Sequence, residues 1–163
     1  MVVFDTKTPS SVPRAVERVE QLIDQLSDVG EKVIIPTPVL AECLTKAGAA
    51  GPDYLALIGR QSVFGFVSYD ERAAIETAAR LAHVFPRALA ADLEAQVSRH
   101  RIKFDWQIVA VAAVEGATAV YSDDPDVVKL ARDAGMEAYR LADLPLPPED
   151  AQTALPFDPA DKP

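Results

Sequence analysis

Four carboxylates of the 163-residue sequence each lie just after a predicted strand or on a helix next to one. Asp5 follows the first apolar run, and Glu42 lies on the helix predicted after the second. Asp105 opens the helix predicted before the fourth strand, and Asp124 follows that strand. If the sheet is parallel, all four meet at one edge, because ligand sites form beyond the carboxyl ends of the strands. The spacing therefore predicts a single acidic site.

Grouped carboxylates repel one another and lose hydration, so they are tolerated mainly where a divalent cation binds among them. Oxygen ligands alone favour Mg²⁺ or Mn²⁺ over zinc. Such a site can activate a water molecule and stabilise the leaving oxygen in phosphodiester hydrolysis. A structural interpretation stays open for each residue: Asp105 and Asp124 as helix caps, Asp5 in a turn, and Glu42 on a solvated helix face.

Residues 102–139 set the architecture, because they alternate as helix, strand, helix, strand. Residues 117–121 form a short apolar run with β-branched and aromatic members, typical of a buried strand. Asp124 and Pro125 are an N-cap followed by proline at the first helical position, and Gly135 ends that helix. This alternation predicts a parallel sheet.

The chain before residue 102 alternates in the same way. Short apolar runs predict strands at residues 2–5, 32–35 and 62–67. Helices are predicted from apolar residues at helical spacing and from cap and proline signals, and they begin near Pro13, Thr37, Asp53, Ser68 and Ala88. The fold class is therefore α/β, with a central parallel sheet flanked by helices.

Composition indicates one soluble domain followed by a tail. The chain is 49% hydrophobic and 25% charged, which suits one α/β domain over residues 1–144. Residues 145–163 form an acidic, proline-rich tail with little to bury. No apolar stretch is long enough to span a membrane, and no secretion signal precedes the domain. With Cys43 as the one cysteine, a reducing cytoplasmic location is expected.

The formal net charge of −9 argues against a general nucleic-acid coat protein, but not against an enzyme whose acids gather around a metal. A basic patch at residues 98–103 supplies the best candidates for phosphate contact: Arg99, Arg101 and Lys103. Trp106 is predicted to be packed in the protein rather than to stack on a base. Neither a dinucleotide-binding nor a Walker motif is present, and no serine or cysteine pairs recognisably with a histidine.

Four short motifs occur in order: Asp5-Thr6 after the first strand, Pro-Thr-Pro-x-x-x-Glu ending at Glu42, Phe-Asp-x-x-Ile-x-x-x-Ala around Asp105, and Tyr-Ser-x-Asp-x-Asp around Asp124. Together they resemble a PIN domain, most of all the VapC-type toxins of bacterial toxin–antitoxin pairs, over residues 1–144. The resemblance implies a Rossmann-like three-layer sandwich and a ribonuclease that depends on Mg²⁺ or Mn²⁺.

The resemblance also implies individual roles. It assigns metal binding and catalysis to Asp5, Glu42, Asp105 and Asp124. Asp126 fits a less regular fifth acidic position, whereas Thr6 and Ser122 match hydroxyl positions that orient ligands or water. The implied partners are an RNA substrate, contacted by Arg99, Arg101 and Lys103, and a small antitoxin protein. A break at residues 48–52 separates two short helices, near residues 39–44 and 53–59, that bury little by themselves. This predicts a covering chain: the antitoxin or a second copy in a homodimer.

One departure from the family pattern lies beside Asp5. The family continues its first acid as Asp-Thr-Asn and an apolar helical turn, whereas Lys7 replaces the asparagine here and residues 8–12 contain no such turn. We predict that the natural chain has residues after Thr6 that this sequence skips. A real deletion would favour the alternative function, a catalytically inactive PIN-like module that binds RNA or protein. A third possibility is a doubly wound domain that binds a small anion.

Overall fold

The computed structural model describes residues 2–5, 15–84 and 93–145; for residues 2–5, 15–16, 54, 83–84, 93–100 and 141 the description covers the backbone. Five strands form one sheet: β1 (Val2–Asp5), β2 (Val33–Pro36), β3 (Phe64–Val67), β4 (Ala119–Ser122) and β5 (Glu137–Tyr139). The helices are α1 (Ala15–Asp28), α2 (Thr37–Ala47), α3 (Gly51–Gly59), α4 (Glu71–Val84), α5 (Leu93–Val114) and α6 (Pro125–Asp133), with 3-10 turns at Gly48–Ala50 and Leu141–Asp143.

The sheet is parallel throughout, in the order β3-β2-β1-β4-β5. Every residue of β2 and β4 is buried, which explains why both strands are continuous apolar runs: helices cover both faces. On one face Leu22 of α1 packs with Val33 and Tyr121. On the other face Ile108 of α5 packs with Val120. The predicted α/β fold with a central parallel sheet is confirmed.

The central helix α5 differs from the prediction, because it is one continuous helix of 22 residues rather than two pieces. Residues 93–104 contain neither glycine nor proline, so nothing in them stops a helix. Arg101 and Lys103 are exposed, whereas most of the helix from Asp105 onward is buried. Asp105 therefore lies inside α5, at the start of its buried part, and the prediction that it opens or caps a helix was wrong.

The start of α2 also differs from the prediction. Pro36 occupies the N-cap position, and no side chain caps the helix there. Thr37, predicted as the cap, is the first helical residue, and its hydroxyl accepts a hydrogen bond from the backbone amide of Tyr69 at 3.0 Å. This bond ties the start of α2 to the segment that follows β3.

Asp70, rather than Ser68, caps α4. Its Oδ1 accepts a hydrogen bond from the Ala73 amide at 3.0 Å, and its Oδ2 accepts one from Arg72 at 2.9 Å. The Ala73 amide, followed by Arg72, lowers the pKa of the Asp70 carboxyl below its ordinary value. Arg72 also reaches Glu115 at 2.6 Å, which links α4 to the end of α5.

Some predictions lie outside the described residues: the role of Thr6, the segment beside Lys7 and the tail from residue 146 onward. The division into residues 1–144 and 145–163 therefore stays a prediction. Across the described helices, none has both the length and the hydropathy needed to cross a bilayer.

Candidate active site

Three of the four predicted carboxylates line one cleft of about 580 Å³ between α2 and α5. They are Glu42 on α2, Asp105 on α5 and Asp124 at the start of α6. The chain separates these residues widely, and packing of the two helices brings them together. We call this space the carboxylate cleft.

Each of the two helices contributes one face to the carboxylate cleft. The lining residues on α2 are Pro38, Ala41, Glu42 and Thr45, and those on α5 include Arg101, Phe104, Asp105 and Ile108. Both sets follow the spacing i, i+3, i+4, i+7, which places side chains on one side of a helix. The cleft is therefore a groove between two helix faces, to which Asp124 is added from the edge of the sheet.

Asp124 is held by the corner between β4 and α6 and is 4% exposed. Its Oδ1 accepts a hydrogen bond from the Asp126 amide at 2.9 Å, and its own amide donates to the Ser122 hydroxyl at 3.0 Å. Pro125 occupies the first turn, so the predicted N-cap is confirmed. Capping does not exclude a second role, because a carboxylate has two oxygens with several acceptor sites.

Asp105 is also 4% exposed, and the residue beside it anchors it in the core. Trp106 is 5% exposed, so the prediction that it is packed is confirmed. The Arg80 guanidinium lies 5.3 Å from the centroid of the Trp106 ring. Since burying a carboxylate costs free energy, the position of Asp105 in the cleft argues against a merely solvating role.

Glu42 is more accessible than the two aspartates, with 32% of its side chain exposed. Its Oε1 lies 2.7 Å from Nζ of Lys46, one helical turn further along α2. The solvated-face interpretation is therefore partly correct for Glu42. The ion pair holds the positive charge of Lys46 beside the Glu42 carboxylate, which lines the cleft.

Asp5 ends β1, and its backbone pairs in register with Ser122 of β4. The strand order turns back between β1 and β4, the kind of switch point beside which ligands bind in open α/β sheets. Among the described side chains, no three histidine, cysteine, aspartate or glutamate residues form a group that could hold a metal ion. The Asp5 carboxylate lies outside the described side chains. As a donor set, the four carboxylates fit Mg²⁺ or Mn²⁺.

The other predicted site residues differ in whether they line the cleft, support it or lie away from it. Ser122 is fully buried, and its hydroxyl orients the Asp124 turn. Asp126 is exposed and contributes its backbone amide to that turn. Arg101 lines the cleft, whereas Lys103, roughly 200° further round α5, does not belong to the lining. The side chains of Thr6 and Arg99 lie outside the description.

Sequence reasoning missed the walls of the cleft, among them Thr45, Phe104 and Gln107. The signal was present, because residues three and four positions from Glu42 and Asp105 share their helix faces. On α5 it was hidden by the wrong prediction that Asp105 begins a helix.

No protein-family model matches the sequence, and no curated protein matches it either. Solved structures do match. A chain of the DNA-bound VapBC from Salmonella typhimurium superposes with a TM-score of 0.55 at 18% identity, covering 86% of this chain and 97% of that chain. A chain of VapBC2 from Rickettsia felis bound to a DNA fragment from their promoter superposes with a TM-score of 0.52 at 12% identity, covering 86% and 98%.

The chain has their fold. At these identities the likeness establishes the fold alone, which is the PIN-like α/β sandwich that the sequence predicts. It covers the greater part of this chain and nearly the whole of both matched chains. The chemistry of the carboxylate cleft is a separate question.

Proposed function

We propose that this protein is a metal-dependent endoribonuclease that hydrolyses RNA phosphodiester bonds. The observation that carries the proposal is the meeting of Glu42, Asp105 and Asp124 in one cleft. Asp105 and Asp124 are almost fully buried there, and the end of β1 lies next to the strand that leads to Asp124. Carboxylates in such surroundings are stabilised when a divalent cation offsets their repulsion.

In this proposal Asp5, Glu42, Asp105 and Asp124 would hold Mg²⁺ or Mn²⁺. The bound cation would lower the pKa of a water molecule and neutralise charge on the phosphate. Ser122 fixes the turn that aims Asp124, and Thr6 orients a ligand or water. One of the four carboxylates accepts the proton that the attacking water releases. The water oxygen bonds to phosphorus, one P–O ester bond breaks, and the leaving oxygen takes up a proton.

We further propose that the protein is the toxin of a toxin–antitoxin pair and acts in the cytoplasm. The likeness of its fold to chains of VapBC complexes supports this assignment. On α3, Leu55 is 37% exposed and Leu57 is 59% exposed, an apolar surface of the kind that a partner covers. A small antitoxin or a second copy in a homodimer would cover it. Light scattering of the protein alone tests for a homodimer. Light scattering with the product of the neighbouring reading frame tests for a complex with an antitoxin.

A catalytically inactive PIN-like module that binds RNA or protein is the second candidate. Two observations favour it: Lys7 stands where the family pattern has asparagine, and Lys46 pairs with Glu42 at 2.7 Å. This candidate predicts RNA binding without turnover, so one assay separates the two functions.

The test is incubation of a mixed RNA pool with magnesium, with manganese and with EDTA. We expect cleavage with either metal, loss of cleavage in EDTA and recovery when metal is added back. Asp105→Asn, purified in the same way, controls for contaminating ribonuclease and should leave the RNA intact. Binding without cleavage would favour the inactive module. Equal cleavage by the wild type and the Asp105→Asn variant would contradict the nuclease proposal.

A further inference from the structure

Arg101 differs from the other predicted phosphate contacts because it shares a helix face with a cleft carboxylate. It lies one turn before Asp105 on α5, and both residues line the carboxylate cleft. Lys103 is also exposed but lies on another side of the helix. Arg101 is exposed, and within the described part of the chain no salt bridge involves it.

The distance along the helix suggests which phosphate Arg101 reaches. Four residues of α-helix rise about 6 Å, which is comparable to the spacing of successive phosphates in a nucleic-acid strand. If the scissile phosphate lies at Asp105 and Asp124, a guanidinium one turn away meets the next phosphate of the same strand. Arginine suits this contact, because its planar fork donates two parallel hydrogen bonds to phosphate oxygens.

The apolar wall of the cleft is suited to the nucleoside that joins the two phosphates. Phe104 lies between Arg101 and Asp105 on the same face of α5, and Pro38 and Ala41 line the facing side of the cleft. Bases of single-stranded nucleic acid pack on aromatic and apolar side chains with little dependence on sequence. The cleft thus combines carboxylates, an apolar wall and one arginine.

We propose that Arg101 binds the phosphate next to the scissile phosphate of a single RNA strand and thereby sets the register of the strand in the cleft. This inference rests on the proposed function for the position of the scissile phosphate. It gives Arg101 a positioning role, because the guanidinium contacts the substrate away from the reacting bond. With a formal net charge of −9, the chain offers little general attraction for RNA, so one cation in the cleft carries weight.

The first measurement is binding of a short labelled RNA in EDTA, where metal-dependent cleavage is stopped. The RNA spans the cleavage site mapped in the pool assay, or is a uridine hexamer if no cleavage is found. Arg101→Gln should weaken binding about tenfold and reduce the salt dependence by the equivalent of about one phosphate. Arg60→Gln, at an exposed arginine that does not line the carboxylate cleft, is the matched control and should change affinity less than about twofold. Equal effects of the two substitutions would overturn the inference.

The second measurement removes the charge from the RNA instead of the protein. A series of RNAs each carries one neutral methylphosphonate, placed at successive positions around the cleavage site. At one flanking position the neutral linkage should weaken wild-type binding about tenfold and Arg101→Gln binding hardly at all, because the two changes remove the same contact. Additive losses at every position would overturn the inference.

Cleavage of the same RNAs in magnesium separates this inference from the proposed function. Cleavage without coupling between Arg101 and any flanking phosphate leaves the nuclease standing and refutes the role of Arg101. Coupling without cleavage refutes the nuclease and supports Arg101 as the phosphate anchor of a binding module. Thermal melting of both variants verifies folding, which substitution of the exposed Arg101 should leave intact.

Discussion

Two clefts of nearly equal size differ in how their acids are placed. The carboxylate cleft measures about 580 Å³, and a second cleft of about 570 Å³ lies between α1 and the residues that lead into β3. We call the second one the α1 cleft; its charged residues are Glu20, Asp24 and Arg60, all exposed. In the carboxylate cleft, by contrast, Asp105 and Asp124 are each 4% exposed.

The comparison shows that cleft size alone does not mark a functional site. An exposed acid keeps its hydration and needs no partner, so the acids of the α1 cleft are explained by solubility. A buried carboxylate has lost much of its hydration, and its presence requires a compensating interaction or a function.

Neutralising acids should reduce RNA cleavage when they belong to the carboxylate cleft, and should leave it unchanged when they belong to the α1 cleft. Asp105→Asn with Asp124→Asn should reduce RNA cleavage by about 10²-fold or more, because it removes two of the proposed metal ligands and one possible proton acceptor. At about ten times its Kd, magnesium should stabilise the wild type by about 1.4 kcal/mol, and this double variant hardly at all. RNA cleavage and thermal melting with and without magnesium measure the two effects.

The matched control for that double variant is Glu20→Gln with Asp24→Asn in the α1 cleft. Cleavage and magnesium-dependent melting should both stay at the wild-type level. If the α1-cleft variant lost the response to magnesium and the carboxylate-cleft variant kept it, the comparison between the two clefts would be reversed.

Removing the anchor beside Asp105 should destabilise the whole domain. Trp106→Ala should lower the free energy of unfolding by about 3 to 5 kcal/mol, because a buried indole leaves a cavity and Arg80 loses its aromatic partner. Arg60→Ala, at an exposed position of the α1 cleft, should change it by less than about 0.5 kcal/mol. Urea unfolding measures both. Equal midpoints for the two variants would show that the carboxylate cleft is not built on the core.

Two substitutions of Asp124 should separate its cap from its chemistry. Asparagine caps a helix as well as aspartate does, so Asp124→Asn should retain stability while losing cleavage. Asp124→Ala loses the bond from the Asp126 amide as well and should be less stable by about 1 kcal/mol. Thermal unfolding and RNA cleavage of both variants form the test. Wild-type cleavage by Asp124→Asn would reduce this residue to a cap.

The ion pair between Lys46 and Glu42 should have a small effect on metal affinity. Lys46→Gln removes the cation that competes for Glu42, so metal should bind about two- to fivefold more tightly, which is the range of an exposed salt bridge. Titration calorimetry with manganese measures the change. Unchanged or weaker binding would mean that Glu42 does not take part in the metal site.

Much of the fold could be predicted because its signals are local. The short apolar runs of β2 and β4, the proline after Asp124 and the positive φ of Gly135 each act within a few residues, and all lie where the sequence places them. Helix starts were less certain, since several nearby hydroxyl or carboxyl groups can compete for one cap. At α4 the competition was between Ser68 and Asp70, and the aspartate caps the helix.

The parallel α/β alternation and the corner that carries Asp124 follow from the amino-acid sequence, because backbone propensity and capping depend on adjacent residues. Helix packing, by contrast, places Glu42 across a groove from Asp105 and makes Arg101, but not Lys103, line this groove. The physical reason is the burial of α5 between the sheet and its neighbouring helices. From Asp105 onward α5 is buried on most sides, so its hydrophobic pattern does not show which face meets α2, and packing sets the orientation of the helix.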